Sequence, residues 1–173
     1  MTALGAATAS STDEISAGLE KFAAVSNAVG LSYEYATSAL ATVTATTRQS
    51  ADVVGTAFKT LFARIQDLEL GKTLDDGTTL GKYSQALETV GVSIKTADGG
   101  LREMDDILSD LGEKWNSFDA EGNPLISDDT KITLAQTVAG VRQYTQLIAL
   151  MDNWDFMKEN LETARNAVGT LNE

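Results

Sequence analysis

A chain of 173 residues, 43% apolar and 22% charged, can bury a core and is too apolar to be disordered as a whole. Thirteen basic residues against 25 acidic ones leave a net charge of −12, which repels phosphate backbones and argues against direct nucleic-acid binding. With no Cys and no His there can be no disulfides, thiol nucleophiles or histidine bases, and nearly every zinc-ligand set is excluded.

The N-terminus lacks the basic-then-apolar order of a signal peptide. No apolar run approaches the roughly 18 residues that a membrane span needs, so no membrane insertion by this segment is expected. Residues 1–12 (MTALGAATASST), small and polar, read as a flexible N-terminal segment, and residues 13–173 as one helical module with a loop break at 118–129.

Ser11, Thr12, Asp13 and Glu14 have the pattern of a capping box, and Ile15, Leu19, Phe22 and Val25 follow at helical spacing up to a stop at Gly30. Ser32 can cap a second helix with Tyr33, Ala36, Leu40 and Val43 as its apolar stripe, weakened by threonines at 42, 44, 46 and 47. Ser50 opens the strongest pattern. Val54, Phe58, Leu61, Ile65 and Leu68 alternate steps of four and three, and Gly71 ends the run.

After a turn-rich loop over 72–79, Leu80, Tyr83, Leu87 and Val90 define a short amphipathic helix ending at Gly91. Val92, Ser93 and Ile94 alternate like a strand and Asp98-Gly99-Gly100 is a turn signal, so at most one very short hairpin is expected near residues 92–101. Leu101, Met104, Leu108, Leu111 and Trp115 make the next helix, with Asp105, Asp106 and Asp110 on its solvent side. Beyond the loop break, Ser127, Asp128 or Asp129 can cap a helix running to Gly140.

Residues 136–154 (QTVAGVRQYTQLIALMDNW) put Val141, Tyr144, Leu147 or Ile148, Met151 and Trp154 on one helical face. Ala139-Gly140 interrupts the run where two helices could approach closely. A last helix from about Asn153 carries Phe156 or Met157, Leu161, Ala164 and Val168. The fold class is therefore all-α, a bundle of roughly six to eight helices, and no internal repeat is evident.

Constellations for chemistry are thin. Asp75-Asp76, Asp105-Asp106 and Asp128-Asp129 are adjacent acids in turns or on helix faces, without the cleft and raised pKa that a carboxylate hydrolase requires. Asp119, Glu121 and Asn123 imitate a calcium-loop spacing, but Pro124 and Thr130 stand where such a loop needs Gly and Glu. No phosphate-binding glycine loop and no activated serine is apparent. Catalytic residues, metal ligands and cofactors are accordingly expected to be none. Arg142, Gln143 and Gln146 flank the apolar face of the 136–154 run, and they are either a contact to another protein or ordinary solvent-facing and interhelical polar groups.

Four runs occur in a telling order: RQSADVVGTAFKTLFARIQDLELGK (48–72), DDGTTLGKYSQALETVGVSI (75–94), GLREMDDILSDLGEKW (100–115) and LAQTVAGVRQYTQLIALMDNW (134–154). Together they closely resemble the core region of phage tail tape measure proteins of the long-tailed, minor-tail-protein type, over roughly residues 10–170. The resemblance implies a helical structural component of a phage or prophage tail, made in the bacterial cytoplasm and housed inside the tail tube. It implies tail-tube protein, tail assembly chaperones and tail-tip or baseplate proteins as partners, with self-association, and roles in templating tube length and in genome delivery.

The resemblance carries over no catalytic residues. Even one uninterrupted helix of this length would reach only about 260 Å at 1.5 Å per residue. Either a segment of a much longer polypeptide or a split or truncated product is therefore expected, with the measuring part elsewhere. The alternatives are a soluble helical adaptor and, further off, a carboxylate-dependent cell-wall hydrolase.

Overall fold

The computed structural model describes residues 12–172, with side chains through residue 167. The flexible segment expected over residues 1–12 and the Ser11 cap lie outside the described residues, save Thr12, which opens the first helix. The same holds for the side chain of Val168.

Among the described residues there are eight helices: α1 Thr12–Ala28, α2 Tyr33–Thr47, α3 Ala51–Glu69, α4 Leu80–Thr89, α5 Met104–Trp115, α6 Asp128–Ala139, α7 Tyr144–Asp152 and α8 Trp154–Asn172. The fold is all-α, as the helical spacing predicts. Among the described residues no sheet is formed, and extended pairing is limited to two isolated antiparallel bridges, Lys95 with Leu101 and Phe118 with Pro124. The expected hairpin near 92–101 is the first of these.

Local chemistry starts α2, α3 and α6 where the sequence places caps, and starts α4 at Thr79, the last residue of the expected 72–79 loop. The hydroxyls of Ser32, Ser50, Thr79 and Ser127 each accept from the backbone N–H three residues on, satisfying one otherwise orphaned donor of α2, α3, α4 and α6.

The axis of the bundle is α2, and here the structure departs from the expected stripe. Tyr33 is 53% exposed, while every residue from Tyr35 to Thr44 is buried. A helix buried on all sides normally reads as apolar on all sides, and this one is rich in Ser and Thr. Its hydroxyls turn back onto their own helix. Thr37 donates to the Tyr33 carbonyl, Ser38 to that of Glu34 and Thr42 to that of Ser38, each at 2.7 Å. With these hydroxyls bonded to their own helix, Thr37, Ser38 and Thr42 pack largely through methyl and methylene groups. Thr42 also accepts from Asn160 Nδ2 at 3.0 Å, which joins α2 to α8.

The parallel neighbours α1 and α3 meet at glycines. A Cβ at Gly55 would fall 2.3 Å from the Gly18 carbonyl oxygen, and one at Gly18 would fall 2.5 Å from the Ala51 carbonyl oxygen. No side chain fits between these backbones. The close crossing draws Phe22 against Phe58 and Phe62, with ring centroids 5.4 and 6.2 Å apart. Each such buried side chain stabilises by about 1.5–3 kcal/mol through removal from water.

The amino end of α5 is held by the α1–α2 turn. Met104 and Asp105 donate their N–H groups to the Val29 and Gly30 carbonyls at 3.0 and 3.3 Å. In return the Ser32 N–H donates to the Asp105 carboxylate at 3.0 Å. Free donors of one helix start thus meet free acceptors of one helix end. This overturns the expected solvent-side placement of Asp105. Asp105 is half-buried, and Asp110 pairs with both Arg102 and Lys114. α5 also begins later than expected, because Leu101 is engaged in the bridge to Lys95.

Two tryptophans tie α5 to the C-terminal helices. Trp115 Nε1 donates to the Asp152 carboxylate at 2.7 Å, and Trp154 Nε1 donates to the Glu113 carboxylate at 3.1 Å. The Trp154 indole fills the space over Gly112.

Candidate functional site

The residues singled out as a contact lie at the joint between α6 and α7. α6 stops at Gly140, which has φ +88°, a conformation that residues with a Cβ rarely adopt. A turn over 141–143 follows, and α7 starts only at Tyr144. Val141 is therefore on a turn rather than a helical face, and it is 69% exposed instead of buried as its spacing suggests.

The structure separates the three polar residues. Arg142 is exposed on the turn and makes no ion pair among those found in the described residues. Gln143 is half-buried as the residue preceding α7, without a side-chain capping bond. Gln146 turns inward at 7% exposure, and its Nε2 donates to Gln49 Oε1 at 2.8 Å, linking α7 to the α2–α3 loop. Its Oε1 is buried without a hydrogen-bond partner. Such a group costs about 1–3 kcal/mol. Gln146 is thus an interhelical residue, and Arg142 is the one of the three presented outward.

Arg64, absent from the sequence-based candidates, holds the joint from behind. Its Nη2 donates to the Thr137 carbonyl at 2.9 Å and to Thr78 Oγ1 at 3.0 Å, and its Nη1 lies 2.9 Å from Asp76. One guanidinium thus binds α3, the 70–79 loop and the carbonyl end of α6, where a cation opposes the negative end of the helix dipole. A side chain at position 140 would lie in van der Waals contact with it, its Cβ 3.4 Å from Nη1. Ala139-Gly140 is therefore a helix stop against an arginine, not a seam between two helices. An isolated Arg within an amphipathic helix gives no sequence signal of such a role, because its acceptors come from residues 12 to 73 positions away.

The paired acids are separated rather than assembled. Asp76 serves Arg64, and its carboxyl is held below the usual range chiefly by the Thr78 N–H and hydroxyl, with Arg64 adding to them. Asp105 is raised by burial, opposed by the Ser32 N–H, while Asp106 faces solvent. Asp128 and Asp129 occupy the first turn of α6, where the helix dipole favours them. The Asp119 carboxylate accepts from the Glu121 and Asn123 N–H groups and so closes its own turn. Among the described residues, no three acidic side chains converge as metal ligands would.

An open depression of about 620 Å³ beside α4 is bordered by Thr79, Lys82, Gln85, Ile94 and Lys95. None of the paired acids and none of the three polar residues reaches it.

One half-buried acid has no role in these contacts. Burial raises the Glu69 carboxyl to about 7. The buried Tyr83 hydroxyl is pushed up by burial and by the nearby Glu69 charge.

No helix among the described residues is long and apolar enough to cross a membrane. The family described as phage-related minor tail protein matches residues 1–128. This span contains the runs 48–72, 75–94 and 100–115 and ends before 134–154. No solved structure matches the chain.

Proposed function

The chain belongs to the phage-related minor tail protein family and is a structural component of a phage tail, and from that premise we propose that it is a segment of a tape measure protein. What supports this reading is the minor tail protein family match over 128 residues, within which three runs that resemble tape measure proteins follow one another in order. In this role the segment acts through assembly: it helps template the tail tube and assists genome delivery, in contact with tube protein, assembly chaperones and the tail tip.

Geometry sets what the folded segment contributes. The longest helices have 19 residues, about 28 Å at 1.5 Å per residue, and they fold back on one another. As folded, the segment supplies a compact body, and in this reading the measuring length comes from other polypeptide of the same protein.

The test is an in-frame deletion of this segment from its parent gene, with tails imaged by negative-stain electron microscopy and infectivity titred. Absent or misassembled tails are expected. Normal tails with full infectivity would overturn the structural assignment.

A further inference from the structure

We propose that residues 117–132, the second bridged turn together with the start of α6, form a docking surface for a partner whose apolar contact face is rimmed by Lys and Arg.

Three large apolar side chains stay outside the core here: Phe118 at 64%, Leu125 at 56% and Ile132 at 43% exposure. They flank a turn whose conformation is already set. Phe118 pairs with Pro124, Leu125 donates its N–H to the Ser117 carbonyl at 2.9 Å, and Asp119 accepts from two N–H groups across the turn. A segment held in this way loses little conformational entropy on binding, so its exposed apolar groups act at small cost. Ile126, between Leu125 and the cap Ser127, is buried and anchors the segment to the core.

Charge selects the kind of partner. Residues 115–130 contain Asp119, Glu121, Asp128 and Asp129 and no Lys or Arg. None of the four acids is in an ion pair among the described residues. The next cation along the chain, Lys131, directs its ammonium over the Trp115 ring, 5.3 Å from the centroid. The apolar groups therefore sit beside an excess of negative charge, four acids against the one cation Lys131, which steers a basic rim toward them and repels an acidic one. A second copy of this chain, itself at −12, is the wrong sign for this surface.

The same turn is used twice in the chain, which shows what is distinctive here. Lys95–Leu101 (KTADGGL) and Phe118–Pro124 (FDAEGNP) are both closed by an antiparallel bridge between their first and seventh residues, one before α5 and one after it. The first is closed by a lysine. The second puts a phenylalanine in that position and is followed by Leu125; the first also exposes an apolar group, Leu101 at 41%, near Asp98, so what sets the second apart is two exposed apolar groups and no cation within the turn.

The experiment uses the whole chain and a fluorescent helical peptide of alternating Leu and Lys faces as the probe, read by anisotropy, with a Leu–Glu peptide of the same pattern beside it. Binding of the Leu–Lys peptide is expected, weakened at least tenfold by F118S/L125S and by E121Q/D128N/D129N. Little change is expected for V53S, an equally exposed apolar site on α3, or for the charge-matched remote variant E20Q/E159Q/E162Q. Circular dichroism of each variant checks the helical fold. Equal weakening by the local and remote charge variants would overturn the proposal by reducing it to net charge. Failure of F118S/L125S to differ from V53S would overturn it too, as would concentration-dependent self-association of the chain that F118S/L125S abolishes. The proposal stands apart from the tape measure reading: tail assembly surviving deletion of the whole segment sinks that reading and leaves the peptide result intact.

Discussion

Trp154 occupies the space that a side chain on Gly112 would need. A Cβ built on Gly112 lies 2.1 Å from the indole, while the indole N–H is fixed to Glu113 one residue along. Gly112→Ala therefore forces the ring away and breaks that bond with it. A loss of roughly 1–3 kcal/mol is expected from overpacking, read as a lower urea midpoint at unchanged slope. An unchanged midpoint would show that the indole does not rest there.

The α1–α3 crossing makes a sharper demand, because the obstacle is backbone. At position 55 a methyl group would meet the Gly18 carbonyl at 2.3 Å, and a carbonyl cannot rotate aside as a side chain can. Gly55→Ala should separate the two helices and loosen the Phe22–Phe58–Phe62 cluster. The expected result is greater loss of stability than at an exposed α3 position such as Thr60→Ala, together with altered near-ultraviolet circular dichroism from the displaced rings.

Glu69 gives a pH dependence with a definite sign. Its folded value, about 7, lies above the ordinary value of 4.5 because burial disfavours the charged form. The folded state then holds the proton more tightly than the unfolded chain. Its contribution is fully present below about 4.5 and is lost as pH rises through about 7. The group is only half-buried, so the change is expected near 1 kcal/mol after allowance for hydration. Glu69→Gln should remove that portion of the decline and raise stability above pH 7. Parallel urea titrations at pH 5 and pH 8 measure it; a variant with the same decline as the parent chain would contradict the assignment.

The Gln146–Gln49 bond predicts an asymmetry. Gln49→Ala leaves a buried amide N–H without its acceptor and should destabilise by about 1 kcal/mol. Gln146→Leu removes the donor and also the partnerless Oε1, so it should be neutral or stabilising. Arg142→Ala, out on the turn, should shift stability by no more than about 0.5 kcal/mol. Thermal melts of the three variants distinguish this inward reading of Gln146 from a surface one, in which all three would behave alike.

Helix starts were legible because their causes are short-ranged. A hydroxyl at Ser32, Ser50 or Ser127 bonds an N–H three residues away, and both partners stand in the same few letters of sequence. The apolar spacing of α3 and α5 likewise named their buried faces, since Val54, Phe58, Leu61, Ile65 and Leu68 all enter the core, as do Met104, Leu108, Leu111 and Trp115. The candidate contact was legible only in part: Arg142 faces outward, but Gln146, on the same apparent polar edge, faces in.

The sequence by itself determined that this chain is helical, where most helices begin, and to which family it belongs, because caps, periodicity and ordered motifs are all local properties. Only the tertiary structure decided that α2 is central, that Gly18 and Gly55 meet, and that Arg64 locks the α6–α7 joint. Each of these depends on atoms brought together from distant parts of the chain. A threonine whose hydroxyl is satisfied inside its own helix packs like a valine, and a polar letter does not announce that its hydrogen bond is already made.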